Sequence, residues 1–299
     1  MAYNAGNPMF KGSLVALITP FKDGAVDEAA FRKLVDWQIE QGTDGVIPTG
    51  TTGESPTLSH AEHKQVVEIC VDQVAGRIPV IAGTGSNSTE EAIELTRHAK
   101  EAGADAALIV TPYYNKPTQQ GLYLHFKAIA DAVDLPIVIY NIPGRSIVDM
   151  TVETMKLLAE LPNIVGVKDA TANGTRPMET RLAIGPDFSQ LTGEDGTVVP
   201  FLSQGGHGCI SVTANVAPGP LSELHRAWGK GDLDTVMTIN DRLSPLHQAL
   251  FCESSPGPVK YAASLLGICE PTARLPICEI ADSSKQKVES ALRHAGLLN

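Results

Sequence analysis

The chain has 299 residues, of which 43% are hydrophobic and 19% charged, with a formal net charge of −11 at pH 7. That balance is globular and excludes a wholly disordered or fibrous chain. The acidic excess repels phosphate backbones and anionic bilayers, so neither nucleic acid nor a membrane is expected as a partner, and an anionic substrate would need local cationic groups.

Eight short apolar runs recur along the chain, at 13–19 (SLVALIT), 45–48, 79–82, 106–110, 136–140, 164–168, 189–192 and 208–212. They are continuous rather than alternating, which predicts strands covered on both faces, as in a parallel sheet. Helical periods fill the gaps. Phe31, Leu34, Val35 and Ile39 make one apolar face, and Val67, Cys70, Val71 and Val74 another. Ser59-x-x-Glu62 and Ser88-x-x-Glu91 predict capping boxes that open the second and third helices. Eight strands alternating with helices predict an α/β fold, a (β/α)8 TIM barrel. A doubly wound open sheet is the rival, but its usual glycine fingerprint is absent. Beyond about residue 220 only helical patterns remain. The expected division is a barrel catalytic domain at 1–220 and a C-terminal α-helical domain at 221–299, with no low-complexity linker between them.

No apolar run reaches the roughly 18 residues of a membrane span. The opening MAYNAGNPMF lacks a basic region and an apolar stretch, so no secretory signal is expected. The cysteines at 70, 209, 252, 269 and 278 form no C-x-x-C pair and read as reduced thiols of a cytoplasmic protein. Cys70, Cys209 and Cys278 have apolar neighbours and are expected to fill core.

A barrel carries its chemistry at the C-terminal ends of its strands. Lys168 ends the sixth run, directly after Ile164-Val165-Gly166-Val167. Burial at such a place disfavours an ammonium, and a neutral amine attacks carbonyls to form a Schiff base. A structural ion pair is the plainer role for a lysine there. Tyr140 ends the neighbouring fifth run, where a phenol can pass protons during imine formation. The Gly-flanked turn Gly50-Thr51-Thr52-Gly53-Glu54-Ser55 follows the second run, and its N–H groups and hydroxyls suit a carboxylate, although ordinary turn chemistry reads the same way. Arg145 suits a second carboxylate, or a surface ion pair. His60 and His63 flank Glu62 on the first turn of a helix, where a solvated face is the ordinary reading and zinc would lack a third ligand. There is no HExxH, no Cys/His cluster and no Walker A loop, so no metal or nucleotide is expected.

GTTGES, TPYYN, YNIPGR, VKDAT and GGHGCISVTAN, in this order and spacing, resemble the dihydrodipicolinate synthase family of class I pyruvate aldolases across essentially the whole chain. The resemblance implies a lyase of diaminopimelate and lysine biosynthesis that joins pyruvate to L-aspartate 4-semialdehyde. Lys168 would carry the Schiff base. Tyr140, Thr51 and Tyr114 from a neighbouring subunit would relay protons. Thr51 and Thr52 would hold the pyruvate carboxylate, Ile210 would line the pocket through its backbone, and Arg145 would hold the semialdehyde carboxylate. No cofactor is implied, because the imine itself withdraws electrons. A homotetramer built as a dimer of dimers is implied, as is feedback inhibition by L-lysine at Ser55, Pro56, His60, His63, Asn87, Glu91 and Tyr113. Pro56 stands where alanine is common in the family, and Glu91 has the competing role of capping Ser88. N-acetylneuraminate lyase, which shares GTTGES and the lysine, is the alternative, and Arg145 separates the two. A barrel that only binds metabolites would have no use for Lys168, Tyr140, Thr51 and Tyr114 together.

Overall fold

A computed structural model describes residues 6–299. The opening stretch read as lacking a secretory signal therefore lies partly outside the described residues. In chain order the elements are β1 (Gly12–Ala16), a hairpin of Phe21–Lys22 with Ala25–Val26, α1 (Glu28–Glu40), β2 (Gly45–Ile47), α2 (His60–Val74), β3 (Ile81–Gly83) and α3 (Thr89–Ala102). Next come β4 (Ala106–Val110), α4 (Gln119–Ala132), β5 (Ile137–Asn141), α5 (Pro143–Ser146), α6 (Val152–Leu158), β6 (Ile164–Asp169) and α7 (Arg176–Ile184). The chain ends with β7 (Ser189–Thr192), α8 (Val198–Ser203), β8 (Gly208–Ser211), α9 (Pro218–Lys230), α10 (Leu233–Ala249), α11 (Gly257–Leu265) and α12 (Asp282–His294).

The eight strands form one sheet in the order β2-β1-β8-β7-β6-β5-β4-β3. Every pair of sequence neighbours except β2 and β3, which end the order, is adjacent in the sheet, and there is no switch point, which excludes the doubly wound alternative. This is the connectivity of a (β/α)8 barrel. Each predicted apolar run overlaps one of these strands, to within two residues at its start and three at its end.

By its contacts the chain divides into two compact units, Met1–Lys11 with Ile81–Ile210, and Gly12–Val80 with Ser211–Asn299. In the first, β4 to β7 run in unbroken parallel register apart from one irregularity at Ile137/Val138. In the second, β1 pairs with β2, and Val46 of β2 bridges Val80. The first predicted strand ends early, at Ala16, although Leu17, Ile18 and Thr19 are buried. Asn215 explains this. Its side-chain carbonyl accepts the Ile18 N–H at 3.0 Å and its amide donates to the Ala16 carbonyl at 2.8 Å, so a side chain satisfies the backbone where a strand would have done so. Gln38, buried on α1, likewise donates to the Ala214 carbonyl at 2.7 Å.

The Ser59 capping box is complete, with Ser59 and Glu62 satisfying each other's backbone N–H. Its expected counterpart is one-sided. Ser88 accepts from the Glu91 N–H, but the Ser88 N–H donates to Ser86 Oγ, and the Glu91 carboxylate is taken by the Ser86 hydroxyl. Cys70 and Cys209 are buried as expected, whereas Cys278 is exposed. Cys278 lies in an irregular stretch between α11 and α12, where apolar neighbours in sequence do not set which way a side chain faces. No helix among the described residues is long and apolar enough to cross a membrane.

Candidate active site

In the first unit, β5 and β6 run side by side with Tyr140 opposite Lys168 and Asn141 opposite Asp169. Both strands are continuous apolar runs that end in polar residues, so the pairing places two polar pairs at one end of a buried ladder. Lys168 and Tyr140 are 5% and 6% exposed, and the Lys168 Nζ lies 4.2 Å from the centre of the Tyr140 ring. The sequence-predicted amine and phenol are thus brought into contact. Gly193, just past β7, donates its N–H to the Asp169 carbonyl at 2.7 Å and packs against the Lys168 Cε.

The residues that follow this pair are tied together. The Asn141 side chain donates to Asp149 Oδ1 at 2.7 Å and accepts from the Met150 N–H at 3.0 Å. Arg176 reaches both Asp149 oxygens, at 3.1 and 3.2 Å, and its Nε lies 3.6 Å from Asp169 Oδ2. Asp169 also accepts the Thr171 hydroxyl at 2.6 Å and its N–H at 2.9 Å. Burial raises the Asp169 carboxyl above the usual carboxylate range, against the pull of Thr171 and Arg176.

Glu194 joins the same group. Burial raises its carboxyl, Asp195 reinforces the rise, and the charges of Lys168 and Arg145 oppose it. Neither Glu194 nor Asp195 was predicted, although both follow closely on the seventh apolar run, at a strand end where a barrel carries its chemistry. Arg145 is exposed on the short helix α5. Ile210 is fully buried on β8. Next to it, burial drives the Cys209 thiol far up, so it is a filler rather than a nucleophile. Tyr114 stands apart. It is 89% exposed on the loop after β4 and holds a left-handed backbone at φ 69°, a conformation uncommon for an aromatic residue.

In the second unit, the turn after β2 folds on itself. The Gly50 carbonyl accepts from Gly53 and Ser55, and the Thr51 carbonyl accepts from Glu54. Among the described residues this leaves the N–H groups of Thr51 and Thr52 as the turn's two central donors without an internal acceptor. Thr51 is half-buried and Thr52 buried. Two adjacent N–H donors beside two hydroxyls can hold a carboxylate.

The positions predicted for L-lysine divide between the units. In the second, Ser55 and Pro56 lie in a 3-10 turn, with His60 exposed and His63 buried on the first turn of α2. In the first, Asn87 donates to the Tyr113 carbonyl at 3.2 Å, and Glu91 is half-buried at the start of α3. Among the described residues no group of three or more His, Cys, Asp or Glu side chains is placed to hold a metal ion.

Comparison with known proteins places the chain among relatives of one kind. The sequence model of the Dihydrodipicolinate synthetase family matches residues 9–295. The 4-hydroxy-tetrahydrodipicolinate synthase of Rhodospirillum centenum is 65% identical over 290 residues, covering 97% of this chain and 100% of that protein. Among solved structures, the chloride-inhibited dihydrodipicolinate synthase from Acinetobacter baumannii complexed with pyruvate superposes with a TM-score of 0.94 at 48% identity, covering 96% of this chain and 99% of that one. The enzyme from Cyanidioschyzon merolae with lysine bound gives a TM-score of 0.94 at 42% identity, covering 98% of this chain and 100% of that one.

Proposed function

The chain belongs to the dihydrodipicolinate synthetase family, and from that premise we propose the chemistry of its site. It is a lyase that condenses pyruvate with L-aspartate 4-semialdehyde on the route to diaminopimelate and lysine. The Lys168 amine attacks the keto carbon of pyruvate, and water leaves to give an iminium. The cation withdraws electrons, a methyl proton is lost, and an enamine forms. The enamine carbon attacks the aldehyde carbon of the semialdehyde. The semialdehyde's own amine then adds to the iminium carbon, closes the ring and releases the Lys168 amine.

The observation that carries this assignment is the buried contact between Lys168 and Tyr140, side by side at adjacent strand ends. Imine formation needs protons moved to and from the carbinolamine oxygen, and a phenol next to the amine serves that need. Thr51 completes the relay together with Tyr114 of a neighbouring subunit. The exposure and left-handed backbone of Tyr114 support a residue built to reach outward, and with it a homotetramer formed as a dimer of dimers. The N–H groups of Thr51 and Thr52 hold the pyruvate carboxylate, Ile210 lines the pocket, and Arg145 holds the carboxylate of the semialdehyde. The imine replaces any cofactor. L-Lysine inhibits at Ser55, Pro56, His60, His63, Asn87, Glu91 and Tyr113. Residues 1–220 form the catalytic barrel domain and 221–299 its helical companion, and the enzyme works in the cytoplasm.

The test is a coupled assay with pyruvate and the semialdehyde, run beside N-acetylneuraminate cleavage. Condensation without cleavage is expected, and borohydride with pyruvate should leave a mass adduct on the Lys168 peptide. An unmodified Lys168 peptide under saturating pyruvate would refute the imine.

A further inference from the structure

Glu54 closes the turn that carries Thr51 and Thr52 and takes no part in the proposed chemistry. Its backbone is left-handed, at φ 58°, and its side chain is 2% exposed. Both carboxylate oxygens are engaged by residues far along the chain. Oε1 accepts from the Lys260 ammonium at 2.5 Å, 206 residues away, and Oε2 accepts from the Arg274 backbone N–H at 2.8 Å, 220 residues away. Lys260, on α11, is fully buried and sits 4.1 Å from the centre of the Phe21 ring. The Arg274 guanidinium rests on the same ring, at 4.3 Å, and donates to the Thr57 carbonyl at 3.1 Å and to both oxygens of Glu62, the capping residue of α2, at 2.6 and 2.8 Å.

A buried ion pair is a poor source of stability. Apolar residues of the same volume often serve as well or better, because both charges lose their hydration. What the pair supplies is position. Two donors fix the two oxygens of one carboxylate, and that carboxylate fixes a left-handed residue next to the turn. On the other side of the turn, the Thr19 hydroxyl holds the Gly53 carbonyl at 2.7 Å. The N–H groups of Thr51 and Thr52 are thereby held in place before any ligand arrives, which lowers the ordering cost of binding.

We propose that Glu54, Lys260 and Arg274 are positioning residues that preshape the Thr51–Thr52 turn for the carboxylate of the keto acid, so that the C-terminal helices act on substrate binding. This rests on the reading of that turn as the carboxylate holder and of Lys168 as the imine-forming amine.

The experiment measures borohydride-trapped adducts on Lys168 in the full-length enzyme, using pyruvate and, as a ketone without a carboxylate, acetone. The variants are Glu54→Gln, close to isosteric, and the apolar pair Glu54→Leu with Lys260→Met. In Glu54→Gln the pyruvate concentration for half-maximal trapping should rise about tenfold, the effect of losing one charge-assisted hydrogen bond's worth of preorganisation. Acetone trapping should stay within about twofold of wild type in the same protein. The apolar pair should unfold at a urea concentration no lower than wild type while showing the same selective loss. Unchanged half-saturation for pyruvate in Glu54→Gln overturns the proposal. So does a parallel loss of pyruvate and acetone trapping, which marks a general structural role. If the apolar pair does not fold, Glu54→Gln decides alone. Absence of a pyruvate adduct in the wild-type enzyme overturns the imine reading itself, and the proposal with it.

Discussion

Gly193 offers a test of how tightly the amine is placed. A methyl group on its Cα would stand 3.0 Å from the Lys168 Cε and 3.0 Å from the Ala170 Cβ. That is tighter than ordinary carbon–carbon contact, so in Gly193→Ala the amine-bearing end of Lys168 must give by a few tenths of an ångström. A misplacement of about 1 Å can cost about a hundredfold in rate. Over a few tenths of an ångström, formation of the pyruvate adduct on Lys168 should therefore slow by roughly 3- to 10-fold. The fold should lose about 1–3 kcal/mol, because the Lys168 end can move while the Ala170 Cβ is fixed to the backbone. The assay pairs the single-turnover rate of borohydride-trapped adduct with a urea unfolding midpoint. Gly196→Ala, in the same loop with nothing within 4 Å of the added methyl, is the control and should match wild type in both. A wild-type adduct rate in Gly193→Ala, or equal losses in the two variants, would refute the reasoning.

Three further outcomes are expected. Arg145→Ala should weaken use of the semialdehyde by more than tenfold while pyruvate half-saturation stays within about twofold, since a lost charged hydrogen bond is worth about 1.5–3 kcal/mol; equal losses for both substrates would remove the assigned role. Millimolar L-lysine should inhibit the enzyme, and a flat dose curve, with His60→Ala and Glu91→Ala like wild type, would count against that site. His125 is buried, with its Nδ1 2.9 Å from the Thr89 hydroxyl, and burial lowers its pKa to about 4 from 6.5. The unfolded chain takes up this proton first as pH falls, so stability is fully present above about 6.5 and is lost by about 3 kcal/mol as pH drops through about 4. Urea midpoints of His125→Gln should show a flatter slope across that window, and an unchanged slope would place the acid sensitivity elsewhere.

The strands were legible because a parallel sheet covered on both faces demands unbroken apolar runs, although the first run continues past the end of its strand at Ala16. Lys168 was legible for the same reason, as a charge at the end of such a run. The Ser59 box was legible because both of its partners lie within one turn. Other features have no local signature. Glu54 reads as a solvated carboxylate in a glycine-flanked turn, and only the arrival of Lys260 and Arg274 buries it. The bracket through Asp149 and Arg176 likewise joins residues whose spacing follows no period. The Ser88 box failed on a competitor two residues before the motif, because Ser86 offers a hydroxyl that engages the backbone and the carboxylate at once. Cys278 misled because hydrophobic neighbours predict burial only where a regular element imposes a face.

Asn215 works as a grafted peptide group. Its carboxamide carries the same acceptor and donor that a length of main chain would present, and it hands them to Ile18 and Ala16 while its second N–H reaches the Val212 carbonyl at 2.9 Å. Aspartate has nearly the same outline but only acceptors; one of its oxygens would still accept from Ile18, while the other would stand against the two carbonyls of Ala16 and Val212. A position that looks like an ordinary polar residue in the turn after a strand therefore tolerates drift in neither charge nor length, and the chain is free to leave the sheet early only while that amide is there.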